Sequence, residues 1–271
     1  MKLSAFKFCK HNKNYLLKIF DYTKVPNNEK KFIIKGKYGR SFYQCKLCKH
    51  IYSSHAFSIQ NLYSQQYLEL TYKNLNGIKK RFKNVTNLPI NKSDNKNRAI
   101  RVDSFFKEKK LKLLDVGSGI GVFLHEMKKK KWDVSGIEMD KRYVDFCKKI
   151  KKLNVHKKKL EQFKKKKNFD LVTFNKVLEH VANPIKLFKL STKFLKKDGI
   201  VYIEVPDIKA KTQGKFRQEF CVDHLHIFSP ESLNYLADVC GFQTIQIKRI
   251  HEPSGKFTLF GFFKKKSNKL S

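Results

Sequence analysis

The stretch that decides the fold is Leu113–Gly121, which reads LLDVGSGIG. It joins an apolar run to a carboxylate, Asp115, and then to glycines at alternate positions, Gly117, Gly119 and Gly121. An apolar run that passes into a glycine-rich turn is typical of a buried parallel strand followed by a helix. Glycines let the backbone turn sharply and let a ligand approach it closely. By itself the stretch predicts either a nucleotide-like cofactor loop or only a tight strand-to-helix turn.

Short apolar runs alternate with helical patterns from Leu111 onward. The strands predicted from this alternation are 112–116, 132–138, 169–174, 200–205, 242–250 and 257–263, and the helices are 122–130, 141–151, 184–195 and 230–240. Such alternation predicts an α/β fold, in which a doubly wound, Rossmann-like, mostly parallel sheet is covered by helices on both faces. No helix separates the final pair of strands, so we expect the last strand to be antiparallel.

The composition divides the chain into three regions. Residues 1–72 are rich in Cys, His and aromatic residues and predict a small N-terminal zinc-ribbon-like module. Residues 73–110 are polar and predict a linker with a helical end at Arg98–Phe106. The alternating pattern of residues 111–271 predicts the cofactor-binding domain.

The charge of the chain raises the question of a nucleic-acid partner. Lys and Arg number 60 against 23 Asp and Glu, which gives a formal net charge of +37 at pH 7. An excess of this size is typical of proteins that bind phosphates. The basic residues are mostly Lys, however, whereas Arg is preferred where phosphates or bases are gripped by paired hydrogen bonds. Lys, Asn and Ile are all abundant and share A/T-rich codons, which favours a solvated, composition-biased surface and disfavours nucleic acid as the partner.

Targeting signals and cysteine usage indicate the compartment. Met1–Phe20 has no continuous apolar core of the kind found in secretory signals, and no stretch approaches the roughly 20 apolar residues that span a bilayer. The 6 Cys stand at irregular positions, which favours thiols and metal ligands over a disulfide framework. We therefore expect a cytoplasmic protein without a transmembrane segment.

A second acidic residue supports the interpretation of the glycine-rich stretch as a cofactor loop. Glu138 ends the next strand in the sequence GIEMD, roughly 20 residues after the glycines, where a carboxylate accepts hydrogen bonds from ribose hydroxyls. The glycine spacing is G-x-G-x-G, not the G-x-G-x-x-G of dinucleotide enzymes, and no P-loop Lys-Ser/Thr pair follows. These features favour a nucleoside-bearing cofactor pocket over a mere turn.

LLDVGSGIG, GIEMD, FDLVTFNKVLEHV and LKKDGIVYIEVPD, in this order, resemble the motif series of class I S-adenosylmethionine (SAM)-dependent methyltransferases. The resemblance covers about Leu111–Phe263 and implies that SAM is the cofactor. It implies that Asp115 and the glycine loop hold the methionine end, that Glu138 holds the ribose, and that the segment from Asn175 to His180 lines the pocket. The cofactor-binding residues so implied are Asp115, Gly117, Ser118, Gly119, Gly121, Glu138, Met139 and Asn175.

The segment FCVDHLHIFSPESLNYLADVCGF (220–242) resembles a conserved stretch of a methyltransferase subgroup that acts on sugars, glycans and other small metabolites. Within it, Asp223 and His224 place a carboxylate beside an imidazole, a pair suited to removing a proton from a hydroxyl, an amine or an acidic carbon. A structural histidine is the alternative. His180 in LEHV is predicted either to form a pocket wall or to act as a second base. SDNKNR (93–98) resembles a short SDN-x-x-R patch of family members.

The N-terminal region contains a zinc knuckle, Cys45-x-x-Cys48. Members of the subgroup often begin with two such knuckles, but the first is irregular here because Cys9 lacks a partner at the usual spacing. The resulting prediction is a Cys₃His zinc site. Its fourth ligand is predicted among three histidines, namely His11, His50 and His55. The alternative is a metal-free relic that is held together by its aromatic core.

The predicted function is SAM-dependent methyl transfer to a small-molecule or glycan or sugar-linked acceptor, with the methylated atom, O, N or C, left open. One alternative is an RNA or other nucleic-acid methyltransferase that uses the lysine-rich surface. Residues 175–181, NKVLEHV, lack the N/D-P-P-Y/F loop on which enzymes that methylate base amines stack the flipped base, and this disfavours it. The other alternative is a non-catalytic SAM-binding protein.

Overall fold

The computed structural model describes residues 9, 13–27, 29, 37–58, 75–107, 111–164 and 168–266. The strands in chain order are β1 (Leu16–Tyr22), β2 (Arg40–Cys45), β3 (Ile51–His55), β4 (Lys112–Val116), β5 (Asp133–Glu138), β6 (Asn154–Lys157), β7 (Phe169–Asn175), β8 (Leu195–Pro206), β9 (His226–Ile227), β10 (Phe242–His251) and β11 (Phe257–Lys265). The α-helices are α1 (Leu75–Thr86), α2 (Asp94–Phe105), α3 (Val122–Lys129), α4 (Lys141–Asp145), α5 (Pro184–Leu190) and α6 (Pro230–Val239).

The larger sheet has seven strands in the order β10-β11-β8-β7-β4-β5-β6. Strands β4 to β8 pair in parallel, whereas β11 is antiparallel to both of its neighbours, β8 and β10. The prediction of a doubly wound, mostly parallel sheet with an antiparallel last strand is therefore confirmed. The strand order reverses between β4 and β7, which creates the switch point where open α/β sheets bind ligands.

Alternate side chains of the central strands enter separate cores on the two faces of this sheet. Leu113 of β4 packs with α1, α2 and α3 through residues such as Phe123. Its neighbour Leu114 packs with α5 and α6 through residues such as Phe188 and Leu233. Because both faces of β4 are covered, its run reads as continuously apolar in the sequence.

The segment predicted as a polar linker is largely helical. Within residues 73–110, α1 buries Ile78 and Phe82, which lie one turn apart on one face, and the Phe82 ring lies 5.3 Å from that of Phe146. The predicted helical end starts earlier than Arg98, at Asp94, because the Ser93 hydroxyl accepts a hydrogen bond from the Lys96 N–H at 3.2 Å and caps α2. The sequence analysis did not recognise α1 as an amphipathic helix, because its exposed lysines outnumber its two buried residues.

The smaller sheet joins the N-terminal region to the C-terminal part of the chain. Its order is β1-β2-β3-β9, and β9 pairs with β3 through Ile51 with Ile227 and Tyr52 with His226. Residues from the predicted module, 1–72, and from the predicted cofactor domain, 111–271, thus complete one sheet. The position of the domain boundaries stays a prediction.

Two helices end before the positions that the sequence predicts. The predicted helix 141–151 is α4 followed by a π-helical turn over Phe146–Ile150. The predicted helix 184–195 stops at Leu190, and β8 begins at Leu195 and not at residue 200 as predicted. In the part of the chain that the structure describes, no helix combines the length and the apolar character needed to cross a membrane.

Candidate active site

The glycine loop leaves β4 at the switch point of the larger sheet. Gly117, Gly119 and Gly121 all have left-handed backbone angles, with φ of 74°, 53° and 76°. A Cβ on Gly117 would lie 2.8 Å from Val177 Cγ2, and one on Gly121 would lie 2.8 Å from Leu153 Cδ1. A Cβ on Gly119 would meet no atom of the described residues within 4 Å. The loop therefore opens at Gly119 onto space that a ligand can fill.

Glu138 at the end of β5 closes the other side of this space. Its Oε2 accepts a hydrogen bond from the Gly119 N–H at 2.8 Å. Its Oε1 accepts from the N–H groups of Met139 at 2.6 Å and Asp140 at 2.9 Å. Burial raises the pKa of Glu138 above its ordinary value, although these bonds favour the charged form. The carboxylate is fixed beside Gly119, and the Met139 side chain lies exposed next to it.

Asp115 links the two strands that meet at the switch point. It ends β4 in a buried position, and its Oδ1 accepts hydrogen bonds from Thr173 Oγ1 at 2.7 Å and Asn175 Nδ2 at 2.9 Å, both on β7. Burial raises the pKa of Asp115 to about 7, and these hydrogen bonds act in the opposite direction. The strand ends are therefore held together by a carboxylate that gives up its proton near neutral pH.

Two buried polar atoms at this loop have no hydrogen-bond partner among the described residues. They are the Ser118 Oγ and the Asn175 Oδ1. Buried polar atoms in folded proteins nearly always have a partner, so a ligand in the space beside Gly119 would complete this set. Carboxylates, a hydroxyl and backbone N–H groups around an open glycine match the ribose and amino-acid ends of SAM. The residues present fit the cofactor.

A cavity of about 430 Å³ lies beyond the end of β7. Its lining includes Lys176, Glu179 and His180 from the segment that follows β7. The same segment touches the glycine loop, because Val177 is the residue that a Cβ on Gly117 would strike. The cavity is therefore adjacent to the space beside the glycine loop.

His224 and His180 lie together on one wall of this cavity. The His224 Nδ1 donates a hydrogen bond to the carbonyl of Glu219 at 2.7 Å, and the His180 Nδ1 donates to the carbonyl of Asp223 at 2.9 Å. Because carbonyls can only accept, these bonds place the lone pair of each neutral ring on Nε2. The ring centroids are 4.8 Å apart. The Glu219 carbonyl orients His224, a role that the sequence had assigned to the carboxylate of Asp223.

The Asp223 carboxylate lies near both histidines. It is buried, its Oδ1 accepts a hydrogen bond from the Cys221 Sγ at 2.9 Å, and its Oδ2 lies 3.7 Å from the His180 Nδ1. One of its oxygens also lies within 4.8 Å of a ring nitrogen of His224. The structure thus brings the predicted catalytic residues Asp223, His224 and His180 together.

The sequence did not predict a buried ionic cluster that lies behind the cavity. The Glu204 carboxylate accepts hydrogen bonds from the Arg98 Nε at 2.7 Å, the Tyr202 hydroxyl at 2.5 Å and a guanidinium nitrogen of Arg101. Burial opposes the ionisation of Glu204, but the two guanidiniums outweigh it and hold the pKa of Glu204 well below its usual range. The available signal was Arg98 itself, an arginine within the SDNKNR patch of a chain that is poor in Arg.

The sequence did not identify Glu179 as a site residue either. It is buried, and neither of its carboxylate oxygens has a hydrogen-bond partner within the described ranges. Burial raises the pKa of Glu179. Its only signal in the sequence was its position directly before His180.

The N-terminal cysteines converge in the smaller sheet. The Sγ atoms of Cys9, Cys45 and Cys48 all lie within 4.8 Å of one another and are buried. The Tyr52 hydroxyl donates a hydrogen bond to the Cys9 Sγ at 3.1 Å. These three thiols are the set that the sequence predicts as metal ligands.

The three histidines predicted as the fourth ligand are placed differently. His11 lies outside the described residues. The ring nitrogens of His50 face the Ser232 Oγ at 3.1 Å and the His226 Nδ1 at 3.0 Å. The His55 Nε2 faces the carbonyl of Val222 at 3.0 Å. Neither His50 nor His55 belongs to the thiol cluster.

Replacing Asp115 tests its buried carboxyl group. Asp115→Asn keeps an oxygen for Thr173 but cannot ionise. The folded pKa of about 7 lies above the ordinary value of 3.8, so the unfolded chain loses this proton first as the pH rises. As the pH rises from 3.8 to about 7, the free energy of unfolding of wild type should therefore fall relative to that of the variant. The fall should be up to about 1.4 kcal/mol per pH unit. Urea unfolding of both proteins from pH 5 to 8 measures the difference.

The exposed Asp133→Asn on β5 is the control for this comparison and should leave the pH dependence of unfolding unchanged. A difference between wild type and Asp115→Asn that stays constant with pH would contradict the assignment.

Comparison with known proteins places the chain in a family. A family model described as a methyltransferase domain matches residues 91–247, which is more than half of the chain. The ubiquinone biosynthesis O-methyltransferase of Pelagibacter ubique is 39% identical over 100 residues, which is 35% of this chain and 42% of that protein. The match therefore spans less than half the length of that curated relative.

Solved structures share the fold. The plantazolicin methyltransferase in complex with S-adenosylhomocysteine (SAH) aligns with a TM-score of 0.57 and 15% identity over 76% of this chain and 93% of that one. The Burkholderia thailandensis 1,6-didemethyltoxoflavin-N1-methyltransferase, with its namesake compound and SAH bound, aligns with a TM-score of 0.53 and 15% identity over 64% of this chain and 79% of that one. With the family model and this fold together, the chain belongs to the class I SAM-dependent methyltransferases.

Proposed function

We propose that this protein transfers the methyl group of SAM to a hydroxyl group of a small molecule bound in the cavity next to the glycine loop. The observation that carries the proposal is the adjacency of the two spaces. Val177 packs against Gly117 of the glycine loop, and Lys176 directly before it and Glu179 two residues after it line the cavity. The choice of a hydroxyl is supported by the name of the relative in Pelagibacter ubique, an O-methyltransferase of ubiquinone biosynthesis.

The size and lining of the cavity suit a small molecule. Its volume of about 430 Å³ falls within the range of roughly 300–1,000 Å³ that is usual for small-molecule sites. Aromatic rings of Phe216, Phe220 and Phe257 share the lining with charged groups such as Arg98 and Lys176. Such walls accept a ring that carries polar substituents, and a sugar-linked acceptor is the second class that they fit.

The lysine run at residues 157–159 lies outside the lining of this cavity. Lys157, Lys158 and Lys159 are exposed, and none of these three is among the residues that line it. A solvated surface therefore accounts for them, and the acceptor site itself does not require a nucleic acid.

The proposed role of His224 follows from its hydrogen bonding. SAM, when bound, supplies an electrophilic methyl group on a sulfonium. The Glu219 carbonyl holds His224 so that its Nε2 lone pair is the basic atom on the cavity wall. At Nε2, His224 would accept the hydroxyl proton as the acceptor oxygen bonds to the methyl carbon and the C–S bond breaks, with its electron pair returning to sulfur. The cavity walls supply the positioning that such a bimolecular step needs.

An acceptor screen tests the proposed function. Release of SAH is measured with phenols, other small alcohols, nucleotide sugars, glycans, amines and RNA. We expect transfer to a small hydroxyl compound, and we expect His224→Gln to lower kcat/KM by about 10²- to 10⁴-fold, the usual contribution of a general base. His251→Gln, at an exposed histidine outside the cavity lining, is the control. Transfer to RNA or to amines alone would overturn the choice of acceptor.

Gly119 tests the cofactor space. Gly119→Arg should abolish SAM binding in calorimetry, because the side chain would enter the space beside Glu138 that is otherwise open. Gly241→Arg is the matched control, since Gly241 also has a left-handed φ, 82°, and also has no described atom within 4 Å of its Cβ position. Equal SAM affinity in both variants would contradict the placement of the cofactor.

We also propose that Cys9, Cys45 and Cys48 hold a zinc ion, with His11 as the fourth ligand. Three clustered, buried thiols match the sulfur part of a tetrahedral Cys₃His site. Metal analysis of the purified protein should find zinc that is lost in the double variant Cys45→Ser with Cys48→Ser. Cys240→Ser removes a buried thiol elsewhere and should keep the metal. Zinc content that is the same in the double variant and in wild type would refute this site.

A further inference from the structure

We propose that Glu179, His180 and His224 bind a divalent cation in the acceptor cavity, with its remaining coordination positions open to the acceptor hydroxyl. A carboxylate oxygen of Glu179 and one ring nitrogen of each histidine all lie within 4.8 Å of one another. All three residues line the cavity. The site is separate from the thiol cluster, and its use in catalysis rests on the proposed function.

The first argument is the state of the Glu179 carboxylate. It has no solvent-exposed surface, and neither oxygen has a hydrogen-bond partner in the described part of the chain. Lys176, the nearest ammonium in the sequence, donates its hydrogen bond to the Thr258 Oγ1 instead. Burying a carboxylate without a hydrogen-bonded partner is strongly unfavourable. A cation between Glu179 and the histidines would supply the missing partner.

The backbone around Glu179 is fixed, so the carboxylate is held at the cavity wall. It lies in a short 3₁₀ turn, Leu178–His180, directly after β7. The carbonyl of Glu179 accepts a hydrogen bond from the Leu225 N–H at 2.7 Å, which joins this turn to the segment that carries His224. The three side chains are therefore brought together by main-chain contacts that do not depend on an ion.

The second argument is the hydrogen bonding of the two histidines. Each donates its Nδ1–H to a main-chain carbonyl, His180 to Asp223 and His224 to Glu219. Histidines that ligate metals nearly always hold their other ring nitrogen in this way, which fixes the orientation of the ring. The His180 Nε2 lies 4.0 Å from the Glu179 Oε1.

The distances between the candidate ligand atoms are close to those of a site with a bound metal ion. Two atoms bound to a common ion at about 2.1 Å each are at most about 4.2 Å apart. The pair His180 and Glu179 already meets this limit. The other pairs of the set lie within 4.8 Å, so their atoms must approach by at most about 0.6 Å to meet it.

The ligand set indicates the type of ion. Two imidazoles and one carboxylate suit divalent transition metals such as zinc, manganese, iron or cobalt better than magnesium or calcium, which prefer oxygen ligands. Three protein ligands leave positions open for substrate. A hydroxyl that coordinates such an ion loses its proton more easily. The acceptor O–H then releases its proton to solvent water, the oxygen bonds to the methyl carbon, and the C–S electron pair returns to sulfur. With the ion bound, the His224 Nε2 is a metal ligand, so the ion takes over the activation of the hydroxyl from the general-base role of His224.

The test uses the full chain and cobalt(II) as the probe. Calorimetry and visible absorption follow the titration of Co²⁺ into protein whose thiol cluster keeps its zinc. We expect one equivalent to bind with the weak bands of nitrogen and oxygen ligation and without the intense thiolate bands that Co²⁺ at Cys9, Cys45 and Cys48 would give. Glu179→Gln and His180→Asn should each weaken this binding by at least about 10-fold, the usual scale for losing a supporting contact to a metal.

Glu252→Gln is the matched control, because Glu252 is also a buried glutamate with an oxygen, Oε1, that has no partner within the described residues but it does not line the cavity. Its cobalt affinity should equal that of wild type. SAM binding by each variant, measured by calorimetry, reports whether it is folded. Absence of cobalt binding, or equal cobalt affinity in Glu179→Gln and wild type, would overturn the cation site. Cobalt binding without methyl transfer to any hydroxyl would instead overturn the proposed function alone.

Discussion

The wall of the proposed acceptor cavity depends on one buried ionic contact, the Glu204 carboxylate between the guanidiniums of Arg98 and Arg101. A carboxylate at the centre of a sheet is tolerated only when its charge is balanced and its oxygens are hydrogen-bonded. The two arginines come from α2, so this requirement fixes α2 against β8. The main chain of Glu204 also accepts a hydrogen bond from the Lys176 N–H at 3.0 Å. The same residue therefore holds the start of the segment that walls the cavity.

The two halves of the proposed reaction are built by different parts of the chain. The cofactor space is formed by the ends of β4, β5 and β7, where the parallel sheet changes direction. The acceptor cavity also takes residues from the N-terminal region, such as Arg40, which forms a buried ion pair with Glu29 at 2.7 Å. The pairing of β3 with β9 positions this region. Since β9 begins two residues after His224, the N-terminal sheet supports the wall on which the proposed catalytic residues lie.

The sequence predicted six of the seven strands of the larger sheet, because these are apolar and bounded by glycine, proline or charged residues, but it missed the short edge strand β6. It failed for α1, whose buried face consists of little more than Ile78 and Phe82 among many lysines. It also failed to show that β3 and β9 pair, since their partners lie more than 170 residues apart in the chain. Local patterns report the periodicity of an element, but they carry no information about which distant element covers it.

The glycine loop, the acidic residues Asp115 and Glu138, and the cysteine knuckle could be identified from the sequence alone, because each stands in a short local pattern. Their roles in binding the cofactor and a metal stay predictions. Only the tertiary structure decided that Asp223 stands beside His180, that the Glu219 carbonyl orients His224, and that Glu179 is buried with no hydrogen-bond partner among the described residues for its carboxylate. Each of these depends on which main-chain carbonyls and side chains meet where the loops after β7 and β8 come together, and that meeting is set by the packing of the whole sheet.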